Sequence, residues 1–414
     1  MVATLAALAT FAGCTQGSNT APPTTPAEAP TTTERADDGT LLVGAVLPTT
    51  GPLSEIGGSM SAALALATQE INAAGGVNGR NVRVVLREEG DNAATALLAV
   101  QNLVQIGADA IIGPTSSLAL LTTLDTTVEG GVLTCAPTAS ALSLDTYPDA
   151  GLLIRTVPSD SLQAAAIARV AESTGAASAA VVYLDDGYGR PFGQAVQRAL
   201  TGEGTTVAAS VGFQNDDASI SAAVDADVAA NPSVVTVVAD ALSGPAIVTA
   251  IDDATRGRLT FVVNDTGRRP DAAARPYSAD LAPRVFGVSP QAYSTSSTFT
   301  DELRSIDPDT TGLFAQNAYD CLTIIALAAT AADAVRPAEI AAQVPTITAR
   351  GSACNSFPTC AEGLANGRNI NYDGPSGGLA ISAGGDMTSA VFERFTFDEG
   401  GRDVSDGLVR IGEA

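Results

Sequence analysis

One stretch carries polar groups arranged to grip a small molecule. Pro114-Thr115-Ser116-Ser117 follows the apolar run 110–112 and opens a helical pattern. Hydroxyls and backbone N–H groups therefore converge at a helix N-terminus, where a small anion is favoured. By residue type alone, Ser117 reads as readily as an ordinary helix cap. The chemistry available elsewhere is narrow. The chain has 21 basic residues, all Arg, with neither Lys nor His. That composition excludes His-based acid/base catalysis, Ser-His and Cys-His nucleophile pairs, His metal sites, P-loop lysines and Schiff bases. With a net charge of −24 and 45 % hydrophobic residues, the chain can bury a large core but offers no basic patch to nucleic acid.

The five cysteines bear on compartment. Cys354 and Cys360 lie six positions apart in a segment rich in Gly, Ser, Asn and Pro, and in an exported protein they are expected to form a disulfide. Cys135 and Cys321 either bond to each other or remain buried thiols. A four-cysteine zinc site is the alternative, but Cys135 and Cys321 lack paired ligand spacing. The fifth, Cys14, ends the small apolar segment MVATLAALATFAGC, which is too short to span a bilayer. Residues 1–13 read as a signal peptide. Phe11-Ala12-Gly13-Cys14 resembles a bacterial lipobox, although Phe11 stands where Leu is usual and no basic residue precedes the apolar run. Residues 14–38 then form a lipid-anchored Thr/Pro tether without apolar periodicity, expected to be disordered.

The elements that hold these residues follow an alternating plan. An apolar run at 41–47 breaks at Pro48 and Gly51-Pro52; a helical pattern through Ile56, Met60, Ala63, Leu64, Ala67 and Ile71 stops at Gly75-Gly76; a strand follows at 82–86. This β-loop-α-β unit puts its first loop beyond the carboxyl end of a strand, where open α/β sheets place ligands. A helix at 92–106 with Asn92 as N-cap, strands at 110–112 and 132–135, and a crossover at 154–157 complete a first part. Strands at 179–184, 205–211, 234–238 and 260–263 alternate with helices near 159–173, 190–201, 219–230 and 244–254, with Pro191 near a helix start. Such regularity predicts an α/β fold of mostly parallel sheets flanked by helices on both faces. Residues 285–288 are expected to return the chain to the first part, where the apolar helix 311–333 packs.

GPLSEIGGSM, the helix end EINAAGGVNGR and the later IIGPTSS together resemble the start of the branched-chain (Leu/Ile/Val) amino-acid-binding proteins, the type I periplasmic receptors of ABC importers. The resemblance extends over nearly all the chain after about Asp38 and weakens between Gly267 and Thr311. It implies a two-lobed type I periplasmic-binding-protein fold with three crossovers. The first lobe is expected to take 39–157 and 286–373, and the second 158–285 and the terminal strands of 374–414.

The same resemblance implies site residues. Ser117 holds a ligand carboxylate; Thr138 and Ser140, in Ala136-Pro137-Thr138-Ala139-Ser140, receive the ligand ammonium. Tyr188 is the cleft tyrosine and Asp265 the acid that pairs with the ammonium. Ile56 and Asp240 stand where some relatives have aromatics, and an acid at Asp240 argues against a purely aliphatic pocket. The function so implied is a monomeric, lipid-anchored solute receptor on the outer face of the bacterial cytoplasmic membrane. It delivers a small polar metabolite, an amino acid, to ABC permease subunits without cofactor, metal or catalysis. The alternatives are a ligand sensor without transport and an amide or urea receptor of the same fold.

Overall fold

The computed structural model describes residues 32–268, 277–291 and 294–412. Cys14 lies outside the described residues. Two helix-flanked sheets make up the body. The first contains β1 (Leu42–Leu47), β2 (Arg83–Glu88), β3 (Ala110–Ile112), β4 (Leu133–Ala136) and β5 (Leu153–Arg155), all parallel, in the order β2-β1-β3-β4-β5. Alternation along β1 divides its faces. Val43, Ala45 and Leu47 join a core with α1 (Ser54–Ala73) and, from late in the chain, α9 (Ala315–Ala332), while Val46 joins α2 (Ala93–Gln105) and α3 (Ser117–Glu129) on the other face. Asn92 caps α2 through a hydrogen bond from the Thr95 N–H at 3.1 Å.

The second sheet contains β6 (Ser178–Leu184), β7 (Thr206–Phe213), β8 (Val234–Val238), β9 (Thr260–Val263) and β10 (Val285–Pro290), in parallel, followed by the antiparallel strands β14 (Ala390–Phe397) and β15 (Asp403–Ile411). Its order is β15-β14-β10-β9-β8-β6-β7. The helices α4 (Asp160–Ser173) and α5 (Gly189–Gly202) cover one face; α6 (Asp217–Ala230) and α7 (Ser243–Thr255) cover the other. β8, all Val and Thr, is buried along its whole length, as a parallel strand covered on both faces must be. Between β10 and β14 in sequence come α8 (Ser297–Ile306), α10 (Pro337–Thr348), β11 (Ser352–Cys354), α11 (Phe357–Ala365), β12 (Ile370–Gly374) and β13 (Gly377–Gly378), all on the first lobe; β11, β12 and β13 form a small third sheet.

Three boundaries differ from the sequence expectation. Residues 285–288 do not return the chain to the first lobe: β10 pairs with β9 and β14 inside the second sheet, and the crossover follows Pro290. Likewise the last crossover falls near Ser389 rather than at 374, since Leu379 and Ile381 belong to the first core. Residues 32–38, expected to be disordered tether, are docked. The Thr33 N–H donates to the Glu129 carbonyl at 2.9 Å, and the Arg35 guanidinium donates to the carbonyls of Gly130 (2.9 Å), Ala108 (2.7 Å) and Val104 (2.9 Å). A single cation thus satisfies carbonyls left open at the C-terminal ends of α2 and α3.

Both disulfides form: Cys354 with Cys360, and Cys135 on β4 with Cys321 on α9, across 186 residues of sequence.

Candidate functional site

The first-lobe side of the cleft is built from the loops after β3 and β4. Glu89, buried just past β2, accepts hydrogen bonds from the Thr115 N–H (2.9 Å), the Thr115 hydroxyl (2.8 Å) and the Ser116 N–H (3.4 Å). Burial raises the Glu89 pKa against the lowering effect of those donors. With this loop pinned, Ser116 takes the capping position of α3, accepting from the Ala119 N–H at 3.1 Å. Ser117 is thereby released from capping. Its Oγ accepts from the Ala141 N–H at 3.3 Å and keeps its own proton to donate. The Thr138 hydroxyl donates to the Thr115 carbonyl at 2.7 Å, which ties the two loops together and leaves the Thr138 oxygen able to accept from a cation.

On the second-lobe side the polarity reverses. Asp265, half-buried in the short helix Asp265–Gly267 after β9, accepts from Gln163 Nε2 at 2.9 Å; the same nitrogen reaches the Val288 carbonyl at 2.9 Å. Burial raises the Asp265 pKa, opposed by the Gln163 hydrogen bond. Asp160, the first residue of α4, is 1 % exposed, its carboxylate faced by the Ser140 and Tyr188 side chains but by no ion-pair partner among the described residues. Its pKa is pushed up to about 8 by burial and by the neighbouring Asp265 carboxylate. Tyr188 stands beside both acids, and burial with that negative field raises its own pKa. The edge of its ring meets Phe192, centroids 5.8 Å apart. Asn264, 2 % exposed, accepts from the Ala239 N–H at 3.2 Å and turns its side-chain amide toward the Tyr188 hydroxyl.

Ser140 joins the two sides. Its carbonyl accepts from the Asp160 N–H at 2.9 Å and from Arg155 Nη1 at 3.2 Å, and its side chain faces the Asp160 carboxylate. Arg155 is wholly buried but committed elsewhere, to Asp386 through Nε at 2.6 Å and to Asp145 through Nη2 at 2.5 Å. It therefore fixes the crossover without neutralising Asp160.

The structure brings Ser140, Tyr188 and Asp265 together around Asp160, and places Ser117 and Thr138 on the adjoining first-lobe loops. Asp240 is not part of that group. It is exposed, and its Oδ1 accepts from the N–H groups of Leu242 (2.8 Å) and Ser243 (2.7 Å) and from the Ser243 hydroxyl (2.9 Å). Burial, which alone would raise its pKa, is outweighed by these donors, so the pKa is lowered. Ile56 packs half-buried against the first core. Leu118 and Leu242, beside the first turns of α3 and α7, are 72 % and 82 % exposed and form apolar lips at the carboxyl ends of the strands.

Sequence reading missed Glu89, Gln163, Asn264 and, above all, Asp160. An acid in the first turn of a helix looks like a solvated partner of the helix dipole. The signal available was Arg155, a charge inside the apolar run Leu153–Arg155, which marks a crossover crowded with buried ionic groups.

Residues 40–386 match the model of a family described as periplasmic binding protein. The chain is 25 % identical over 364 residues to the chemotactic signal transduction system substrate-binding protein BasB of Halobacterium salinarum, covering 82 % of this chain and 83 % of that one. It is 26 % identical over 186 residues to the leucine-, isoleucine-, valine-, threonine- and alanine-binding protein of Pseudomonas aeruginosa, covering 45 % and 50 %. Among solved structures, the branched-chain amino acid transporter substrate-binding protein LivJ of Streptococcus pneumoniae, in complex with isoleucine, superposes with a TM-score of 0.65 at 20 % identity, over 90 % of this chain and all of that one. A solute-binding protein of R. palustris in complex with benzoate gives 0.63 at 18 % identity, over 91 % and 98 %.

Proposed function

Because the chain belongs to the periplasmic binding protein family, we propose that it is an extracytoplasmic receptor that closes its two lobes around a zwitterionic amino acid and delivers it to an ABC importer. The observation that carries this reading is the opposed polarity of the cleft. Donors at the start of α3, with the Ser117 hydroxyl, suit a carboxylate; Asp265 and the buried Asp160, which has no ion-pair partner among the described residues, suit an ammonium, with the Thr138 oxygen as a further acceptor. A benzoate-like ligand supplies the first half of that pattern and leaves both acids without a cation. Ligand at a hundred times its Kd stabilises the protein by about 2.7 kcal/mol, a melting shift of a few degrees. The test is a thermal-shift screen of the twenty amino acids, small amides, urea, polyamines and benzoate, with hits titrated against Asp265→Ala. An amino-acid hit weakened by about 2–5 kcal/mol in that variant supports the reading. A hit that binds the variant as tightly as the wild type points to an uncharged or anionic ligand instead.

The N-terminal segment completes the proposal: Cys14 is lipidated and holds a monomeric receptor on the outer face of the cytoplasmic membrane, a stable anchor where two or more acyl chains are attached. A second reading is favoured by one observation, the alignment over most of both chains with a substrate-binding protein of a chemotactic signal transduction system. In that reading the closed form reports occupancy to a membrane partner instead of surrendering its ligand. Uptake of the labelled hit by cells with and without this protein separates the two.

A further inference from the structure

Behind the crossovers lies a second cavity, of about 300 Å³, that shares no lining residue with the cleft. Thr156 and Asn317 contribute from the first lobe, Pro290 from a crossover, and Ser389, Arg410 and Ile411 from the third crossover and the strands β14–β15. The sheet order fixes its place. Tyr188, Asn264 and Asp265 follow β6 and β9, whereas β14 and β15 lie beyond β10 on the other side. The crossovers therefore run between cleft and cavity, and a rotation that shuts the one splays the walls of the other. Thr156 and Asn317 make this margin stiff. The Thr156 hydroxyl donates to the Asn317 carbonyl at 2.9 Å, and Asn317 Nδ2 donates back to the Thr156 carbonyl at 2.6 Å.

The lining chemistry is unusual for this molecule. In a chain of net charge −24, no Asp or Glu among the described residues lines the cavity. The Arg410 guanidinium stands at its rim without an ion pair or hydrogen bond to any described residue, while the Arg410 carbonyl accepts from Arg169 Nη1 at 2.5 Å, an arginine that pairs with Glu203 at 3.8 Å outside the cavity. The remaining walls mix polar groups, Gln291, Asn317 and Ser389 among them, with an apolar strip at Pro290, Val391 and Ile411. We infer that this cavity binds a small amphipathic monocarboxylate, with the carboxylate on Arg410 and the apolar body against Pro290 and Ile411, and that its occupancy favours the closed cleft. A molecule seated behind the hinge is best accommodated when the walls are splayed, so it biases the lobes by its differential affinity for the two states.

Hexanoate is a suitable probe. Calorimetric titration of the full chain is expected to show saturable binding that weakens at least about tenfold in Arg410→Ser, a substitution at an exposed position, and is unchanged in Asp265→Ala. X-ray scattering is expected to show a smaller radius of gyration at saturation. The chain has no Trp, so Ser389→Trp both fills the cavity and supplies a fluorophore; it is expected to abolish hexanoate binding and to tighten binding of the cleft ligand. Undiminished binding in Arg410→Ser, loss in Asp265→Ala, or no saturable binding to the wild type overturns the site. An unchanged radius of gyration overturns its coupling to closure.

Discussion

Asp160 holds a carboxylate in a place where water cannot solvate it and where Ser140 and Arg155 compensate it only in part, so it prefers a proton until a cation arrives. Asp265, Asp145 and the partly compensating Arg155 all act on it, and its pKa of about 8 lies inside the physiological range. An ammonium entering the cleft favours the ionised form and drives the proton off. Affinity for a zwitterionic ligand is therefore expected to rise between pH 6 and pH 8, by at most about tenfold per pH unit, with proton release on binding. Calorimetry in buffers of different ionisation enthalpy measures that release. Asp160→Asn is expected to flatten the dependence while leaving the fold intact, and a wild-type affinity constant across this range would refute the linkage. Ser117→Ala is expected to weaken binding less than Asp265→Ala does, because backbone donors at the start of α3 remain.

At the scale of elements, the bridge between β4 and α9 closes a far longer loop than the one between Cys354 and Cys360, 186 residues of separation against 6. In the chain-entropy view, losing the first costs about 5 kcal/mol and losing the second about 2 kcal/mol. Melting of Cys135→Ala/Cys321→Ala beside Cys354→Ala/Cys360→Ala is expected to show that ranking. Gly374, at the end of β12, has a different constraint: a Cβ there would lie 1.8 Å from Asp320 Oδ1 and 2.4 Å from the Tyr372 hydroxyl, which are themselves bonded at 2.6 Å inside the core. Gly374→Ala is expected to destabilise by several kcal/mol, since buried polar pairs cannot part without leaving an orphan. The elements that follow a strand and begin with a cap or a Gly/Pro break were legible in the sequence, because apolar period and turn chemistry agree there: β1 through α1, α2 with Asn92, and the loop before α3. The loop before Ser117 was readable as a helix entry for the same reason, whereas the roles given to Ser117 and Thr138 came from the family resemblance alone. The end of β10 was not, because 285–290 looks the same whether it closes one sheet or enters another; only its pairing with β14, more than a hundred residues on, decides. Asp160 escaped because burial at a crossover is a tertiary property. The docking of Arg35 escaped because its partners are backbone carbonyls, which leave no mark in composition.

For the molecule as a whole, buried acids set the pH response. Asp109 and Asp320 have pKa values raised to about 7, Asp160 to about 8 and Asp227 to about 6, in each case first by burial. A carboxyl whose folded pKa lies above its unfolded value stabilises fully below the unfolded value, near pH 4, and loses that contribution as pH rises through the folded one. The ligand-free protein is therefore expected to melt several degrees lower at pH 8.5 than at pH 5. Added salt is expected to narrow the gap by screening the self-repulsion of 45 acidic residues against 21 arginines. Scanning calorimetry over pH and ionic strength checks both; a melting temperature that climbs from pH 5 to pH 8.5 would contradict the assignment. The clasp of Arg35 on the ends of α2 and α3 also fixes where the chain enters the folded body: at the amino-terminal edge of the first sheet, the pole remote from the cleft. With the anchor proposed at Cys14, eighteen positions of sequence separate it from Thr32. An anchor there would attach the folded body by the pole opposite the cleft and turn its mouth away from the membrane.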